Sequence, residues 1–140
     1  MIAGLARVLD YLPKDYPSRN KFEKQFVEMA HKIASIQLED GFWGQSLLDP
    51  ITYPQKETSG TAFFVYSLAW GINNGFLDRE EFLAVIEIGW NSLLDAVNED
   101  GMLGYVQQVG DQPDQVAAGD FETYGSGAFI LAGIELYKMK

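Results

Sequence analysis

The chain has 140 residues, 47% of them apolar, with twenty acidic residues against ten basic and a formal charge of −10. That length suits one domain with a buried core, no apolar run is long enough to cross a bilayer, and the negative charge disfavours nucleic acid and anionic membranes as partners. There is no cysteine for a disulfide framework or a thiolate-bound metal, and no secretory signal pattern at the start; the expectation is a cytoplasmic protein without metal or cofactor.

The first predicted element is a helix over 1–12, MIAGLARVLDYL, apolar at helical spacing from its first residue with no Ser, Thr, Asp or Asn ahead to cap it. It reads as a helix entered partway along, as a cut in a longer chain would leave it. After PKDYPSR, an ordinary turn-and-cap link, Phe22, Phe26, Met29, Ala30 and Ile33 line one face of a second helix. A long link, EDGFWGQSLLDPITYPQKETSG, fills 39–60. TAFFVYSLAWGI, 61–72, is apolar nearly all round and rich in Ala and Gly, which predicts an inner helix packed closely on both sides. Residues 79–97 are amphipathic instead. Phe82, Val85, Ile86, Gly89, Trp90, Leu93 and Val97 recur at steps of three and four, opposite Arg79, Glu80, Glu87, Asn91 and Asp95, which predicts an outer helix. A second long link covers 99–125, and GAFILAGIELY, 127–137, predicts another inner helix.

The chain also repeats itself. Residue n matches n+60 without a gap from residue 1 to about residue 44, so that EDGFWG at 39–44 falls on EDGMLG at 99–104. A five-residue insertion follows in the second copy, and Glu57-Thr58-Ser59-Gly60 matches Glu122-Thr123-Tyr124-Gly125 at a spacing of 65. Each unit is thus a helical hairpin. The long links exceed about 15 residues, uncommon in a compact domain unless functional or disordered, and Trp43, Tyr53, Tyr105, Phe121 and Tyr124 argue against disorder. Stacked hairpins put both long links at one end, the expected working face.

Several chemistry-bearing residues have plain structural readings. His31 is out of phase with its helix's apolar stripe and is expected to be exposed. Asp111, Asp114 and Asp120 lack calcium-loop spacing and read as a solvated loop. Glu39 and Asp40 precede a glycine in a repeated turn. Trp70 and Trp90 occupy packing positions on helices. A single histidine and no Gly-rich phosphate loop leave no nucleophilic triad or nucleotide site to assemble.

The runs DGFWGQSLLDPITYPQKETSGTAFFVYSLAWGINNGFLD at 40–78, DGMLGYVQQVG at 100–110 and FETYGSGAFILAGIELYK at 121–138 resemble the C-terminal part of the unsaturated uronyl hydrolases of glycoside hydrolase families 88 and 105, the unsaturated rhamnogalacturonyl hydrolases most nearly. The resemblance implies an all-α fold of repeated hairpins, about two and a half of the six in an (α/α)6 barrel. It implies a single domain over 1–140, with units at about 1–60 and 61–125 and a third beginning at 126. In that family an Asp of the N-terminal half protonates the C4=C5 double bond of a terminal unsaturated uronic acid, water adds at C5, and the hemiketal opens to release the next sugar. No position here matches that Asp, and the family's Trp-Arg-Gly-Asn-Gly-Trp sugar-binding segment, expected directly ahead of Met1, is absent as well.

No catalytic residue is therefore assigned, and the chain alone is expected to be inactive. The resemblance carries over Trp43 as an aromatic near the pocket rim, and Glu57, Thr58, Ser59, Glu122, Thr123 and Tyr124 as pocket walls. Helix N-termini there would offer unpaired N–H groups to a uronate, but Glu, Thr and Ser at that place can equally cap the helices themselves. The implied partner is an oligosaccharide ending in an unsaturated uronic acid. An alternative is a non-catalytic helical-repeat module that binds sugar or self-associates through uncovered helix faces.

Overall fold

Among the described residues, 1–110 and 115–140, the computed structural model contains five α-helices and no strand: α1 Ile2–Tyr11, α2 Arg19–Ala34, α3 Thr58–Asn73, α4 Arg79–Asp95 and α5 Thr123–Lys138. None is long and apolar enough to cross a membrane. α1, α3 and α5 lie side by side, with α2 packed outside α1 and α4 outside α3. Two side-chain bonds fix the inner helices as parallel: Trp70 Nε1 donates to Asp10 Oδ1 at 2.9 Å, joining the last turns of α3 and α1, and Asn73 Nδ2 donates to Glu135 Oε2 at 2.8 Å, joining those of α3 and α5.

Local chemistry explains the element ends. Asp78 caps α4 by accepting from the N–H groups of Glu80 and Glu81 at 2.8 and 3.1 Å, and Glu80 and Glu81 place negative charge where the helix dipole favours it. α3 stops at Asn74-Gly75, where Gly75 takes φ +74°, a left-handed turn that a side chain disfavours. Glu-Asp-Gly is the same turn in both units. Gly41 and Gly101 have φ +85° and +80°, and the bonds Leu38 N–H to Phe42 O and Asn98 N–H to Met102 O recur at 3.0 and 2.9 Å.

α3 is the buried centre, enclosed on nearly every side, as its composition predicts. Small residues permit the close approach: a Cβ on Gly71 would lie 2.6 Å from the Leu77 side chain, and one on Gly89 would lie 2.9 Å from Val65. The aromatic cluster of Phe26, Trp70 and Phe76 fills the space between α2 and α3, with Trp70 stacked on Phe76 at 5.3 Å. On the amphipathic α4, Phe82, Ile86, Gly89 and Leu93 are buried as the periodicity predicts.

α5 departs from the expectation of packing on both sides. It buries Gly125, Ala128, Ala132 and Glu135 against α3, and Trp90 of α4 stacks on Phe129 at 4.8 Å. Its far face stays open, with Ile130 61% and Tyr137 74% exposed. Apolarity all round marks a helix that can be enclosed, and among the described residues only the side facing α3 and α4 has a neighbour.

Candidate functional site

Because the inner helices are parallel, the N-termini of α3 and α5 and both long links share one end of the molecule. Two repeat copies far apart in sequence meet there. Glu57, N-cap of α3, turns its carboxylate back onto the helix: Oε1 accepts from Ser59 N–H at 3.0 Å and Ser59 Oγ at 2.6 Å, and Oε2 from Gly60 N–H at 2.6 Å. The N–H of Gln107, from the second link, approaches Oε1 at 3.4 Å. The Tyr124 hydroxyl, in the first turn of α5, donates to the carbonyl of the same Gln107. Glu57, Ser59, Gln107 and Tyr124 thus form one polar cluster joining both helix starts.

Thr58 and Trp43 belong to the scaffold beneath. Thr58 is fully buried; its N–H donates to Tyr105 O at 3.1 Å and its Oγ1 to Gly104 O at 2.7 Å, pinning the second link to α3. Trp43 is 1% exposed, packed beneath the surface of the loop end. Its indole N–H donates to Ile33 O at 2.8 Å, and its ring packs edge-on against Phe64 at 5.3 Å. A signal for this was present: its partner sixty residues on, Leu103, is aliphatic, and both positions are buried.

Glu122 does not mirror Glu57. It is the N-cap residue of α5, yet its side chain makes no cap bond; its carbonyl accepts from Gly125 N–H at 3.1 Å and Ser126 N–H at 3.3 Å. Thr123 is exposed. Capping by the carboxylate therefore describes the first copy and not the second. Gln107, which completes the cluster, and Tyr105, which holds Thr58 beneath it, lie in and beside the stretch where the repeat register is lost, and periodicity offered no signal for them.

Burial pushes the Tyr124 phenol above the usual tyrosine value; the Ser59 hydroxyl pulls it the other way, and the Glu57 and Glu122 carboxylates push it further up. A folded value above the unfolded one gives stability that is complete below about pH 10 and lost as pH rises through the folded value. Tyr124→Phe is expected to cost about 1 kcal/mol and to flatten the alkaline limb of a stability-versus-pH curve followed by urea unfolding.

Other candidates resolve simply. His31 is exposed, with Nδ1 3.0 Å from Glu81 Oε1. Asp120 closes a turn through Ala117 N–H at 2.7 Å, while Asp111 and Asp114 lie outside the described residues. Among the described residues no group of three or more His, Cys, Asp or Glu could hold a metal ion. An open recess of about 570 Å³ at the opposite, short-link end is lined in part by Asp10, Arg19, Glu23 and Trp70. Those groups already satisfy one another: Trp70 bonds Asp10, and Arg19 bonds Glu23 at 2.6 Å.

The glycosyl hydrolase family 88 model matches residues 1–140, the whole chain. The chain belongs to glycosyl hydrolase family 88. A curated family relative, the unsaturated 3S-rhamnoglycuronyl hydrolase of Formosa agariphila, is 41% identical over 140 residues, covering 100% of this chain but 37% of the relative. A family 88 glycosyl hydrolase structure from Bacteroides vulgatus superposes with TM-score 0.94 at 40% identity, over 99% of this chain and 41% of that one. A possible family 105 member from Salmonella enterica serovar Paratyphi A, with TM-score 0.77 at 22% identity over 99% of this chain and 36% of that one, shares the helical fold. This family 88 chain therefore has the hairpin architecture of the helical-barrel hydrolases and spans well under half the length of such relatives.

Proposed function

We propose that this chain is the C-terminal portion of the (α/α)6 toroid of an unsaturated uronyl hydrolase, supplying walls of the sugar site but not the catalytic acid. The observation that carries this reading is the meeting of the two Glu-Thr-X-Gly copies at the end that holds both long links, through Glu57, Ser59, Gln107 and Tyr124. The substrate proposed is an oligosaccharide ending in an unsaturated uronic acid. The family relative's name directs attention to a rhamnoglycuronyl sugar. The hydroxyl hydrogens of Ser59 and Tyr124 go to Glu57 and Gln107, which leaves their oxygens as acceptors for sugar hydroxyls, and Glu122 and Thr123 stand at the adjacent helix start.

Hydration of the C4=C5 bond needs a general acid with a proton available to the substrate carbon. Glu57 is unsuited, because its oxygens already accept from the N–H groups and hydroxyl around it. The chain alone is expected to leave the ultraviolet absorbance of an unsaturated uronyl-rhamnose disaccharide unchanged. With the complementary helices of a family 88 enzyme added, the absorbance should fall. Loss of absorbance with the chain alone would overturn the assignment of the acid to other sequence.

A second reading, self-association, is favoured by the open apolar faces of α5 and α1, where Ile130, Ile134 and Tyr137 on one side and Val8 and Tyr11 on the other are exposed. Sedimentation of a strict monomer at high protein concentration would end it.

A further inference from the structure

We propose that Lys56 is the residue of this chain that receives the acid group of the bound oligosaccharide, an inference that rests on the reading of the loop end as a sugar site. The two long links, 39–60 and 99–125, are rich in Asp and Glu and hold one basic residue, Lys56. In a chain of net charge −10, an anionic sugar approaching this end is repelled unless a cation compensates locally.

The surroundings hold the Lys56 ammonium without neutralising it. Its Nζ lies 5.2 Å from the centre of the Phe42 ring and 5.8 Å from that of Tyr105, one aromatic from each link. Cation–π attraction places the charge but leaves N–H donors unused. The neighbouring Glu57 carboxylate faces inward onto α3, 7% exposed and bonded there. Among the described residues the ion pairs involve Arg7, Arg19, Lys24, His31 and Lys138, and none involves Lys56.

A second observation points to the same place. Tyr105 is the one non-glycine described with positive φ, at +55°, a left-handed conformation disfavoured for a residue with a side chain. It is held there from both sides: Tyr105 O accepts from Thr58 N–H at 3.1 Å, and Tyr105 N–H donates to Ala117 O at 3.2 Å. The strain places the Tyr105 ring beside the Lys56 ammonium at the start of α3, and strain of this kind collects at ligand-holding positions. The acid group received is a carboxylate or a sulfate ester, both of which accept charge-assisted hydrogen bonds from an ammonium.

Calorimetric titration of the chain tests this with four probes: an unsaturated uronyl-rhamnose disaccharide, its carboxyl-reduced form, and both of these bearing a sulfate ester on the rhamnose. Lys56→Met is expected to weaken the acidic sugars about 10- to 100-fold, while Lys56→Arg stays within about threefold of the parent. A penalty seen only with the carboxylated probes assigns the carboxylate, and one seen only with the sulfated probes assigns the ester. Circular dichroism of the variants should match the parent, since Lys56 is exposed. Parent-like binding of every acidic probe by Lys56→Met overturns the assignment to Lys56 and leaves the sugar site standing. Failure of the unsubstituted chain to bind any probe overturns both.

Discussion

Trp43→Ala is expected to lower the stability of the chain by about 3–5 kcal/mol, the range for emptying a buried aromatic site. The indole is 1% exposed and touches three helices. It donates from Nε1 to Ile33 O at 2.8 Å near the end of α2, its backbone N–H donates to Thr61 Oγ1 at 3.1 Å in the first turn of α3, and a Cβ on Gly89 of α4 would lie 3.2 Å from its ring. Alanine leaves a cavity that three packed helices cannot collapse into, and it also removes one of the two donors to the Ile33 carbonyl, which keeps the Ile36 N–H at 3.1 Å. Trp43→Phe refills much of the volume and loses only the indole N–H bond, so a smaller loss of about 1 kcal/mol is added to the residual volume change. Urea unfolding of the three proteins checks the order. A loss under about 1 kcal/mol for Trp43→Ala, a range typical of exposed sites, would return the indole to the surface and to a place among sugar-contacting residues.

Trp43 also shows where sequence reading stops. The helices and the repeat were legible because both have a period: apolar residues three and four apart select the faces of α2 and α4, and the sixty-residue offset pairs Gly41 with Gly101 in turns of the same hand. A loop has no such period. An aromatic in it can stack on a ligand or plug a core, and the choice for Trp43 rests on Gly89, forty-six residues away, leaving room for the ring. Lys56 carries no such pattern either, although it is the one basic residue of the two links. What counting could not supply is the pair of rings around its ammonium, because Tyr105 reaches that place only through a left-handed backbone. The open faces of α1 and α5 follow the same logic, since composition reports that a helix can be enclosed and only its neighbours decide whether it is.

Glu57→Ala and Glu122→Ala should differ sharply, although the repeat makes them equivalent. The first removes the acceptor of the Ser59 and Gly60 N–H groups and of the Ser59 hydroxyl, at 3.0, 2.6 and 2.6 Å, in a site where the carboxylate is 7% exposed and water cannot readily replace it. A loss of about 1–3 kcal/mol is expected, combining a lost cap with stranded donors. The second removes a side chain with no cap bond, and the change should stay within about 0.5 kcal/mol. Glu57→Gln is informative between them: its amide oxygen can keep the Ser59 bonds, but its nitrogen then faces the Gly60 N–H, donor against donor, so much of the penalty persists. The asymmetry has a structural cause. The start of α3 is completed by the link that follows it, through Tyr105 and Gly104 carbonyls on Thr58 and the Gln107 N–H near Glu57. No described segment does the same for α5, whose Thr123 is exposed. Equal losses from the two alanine variants in thermal or urea unfolding would show that the cap is intrinsic to each helix start and that the following link adds nothing. Unequal losses of the predicted size make the inner-helix start a two-part structure, cap from its own helix and carbonyls from the next link.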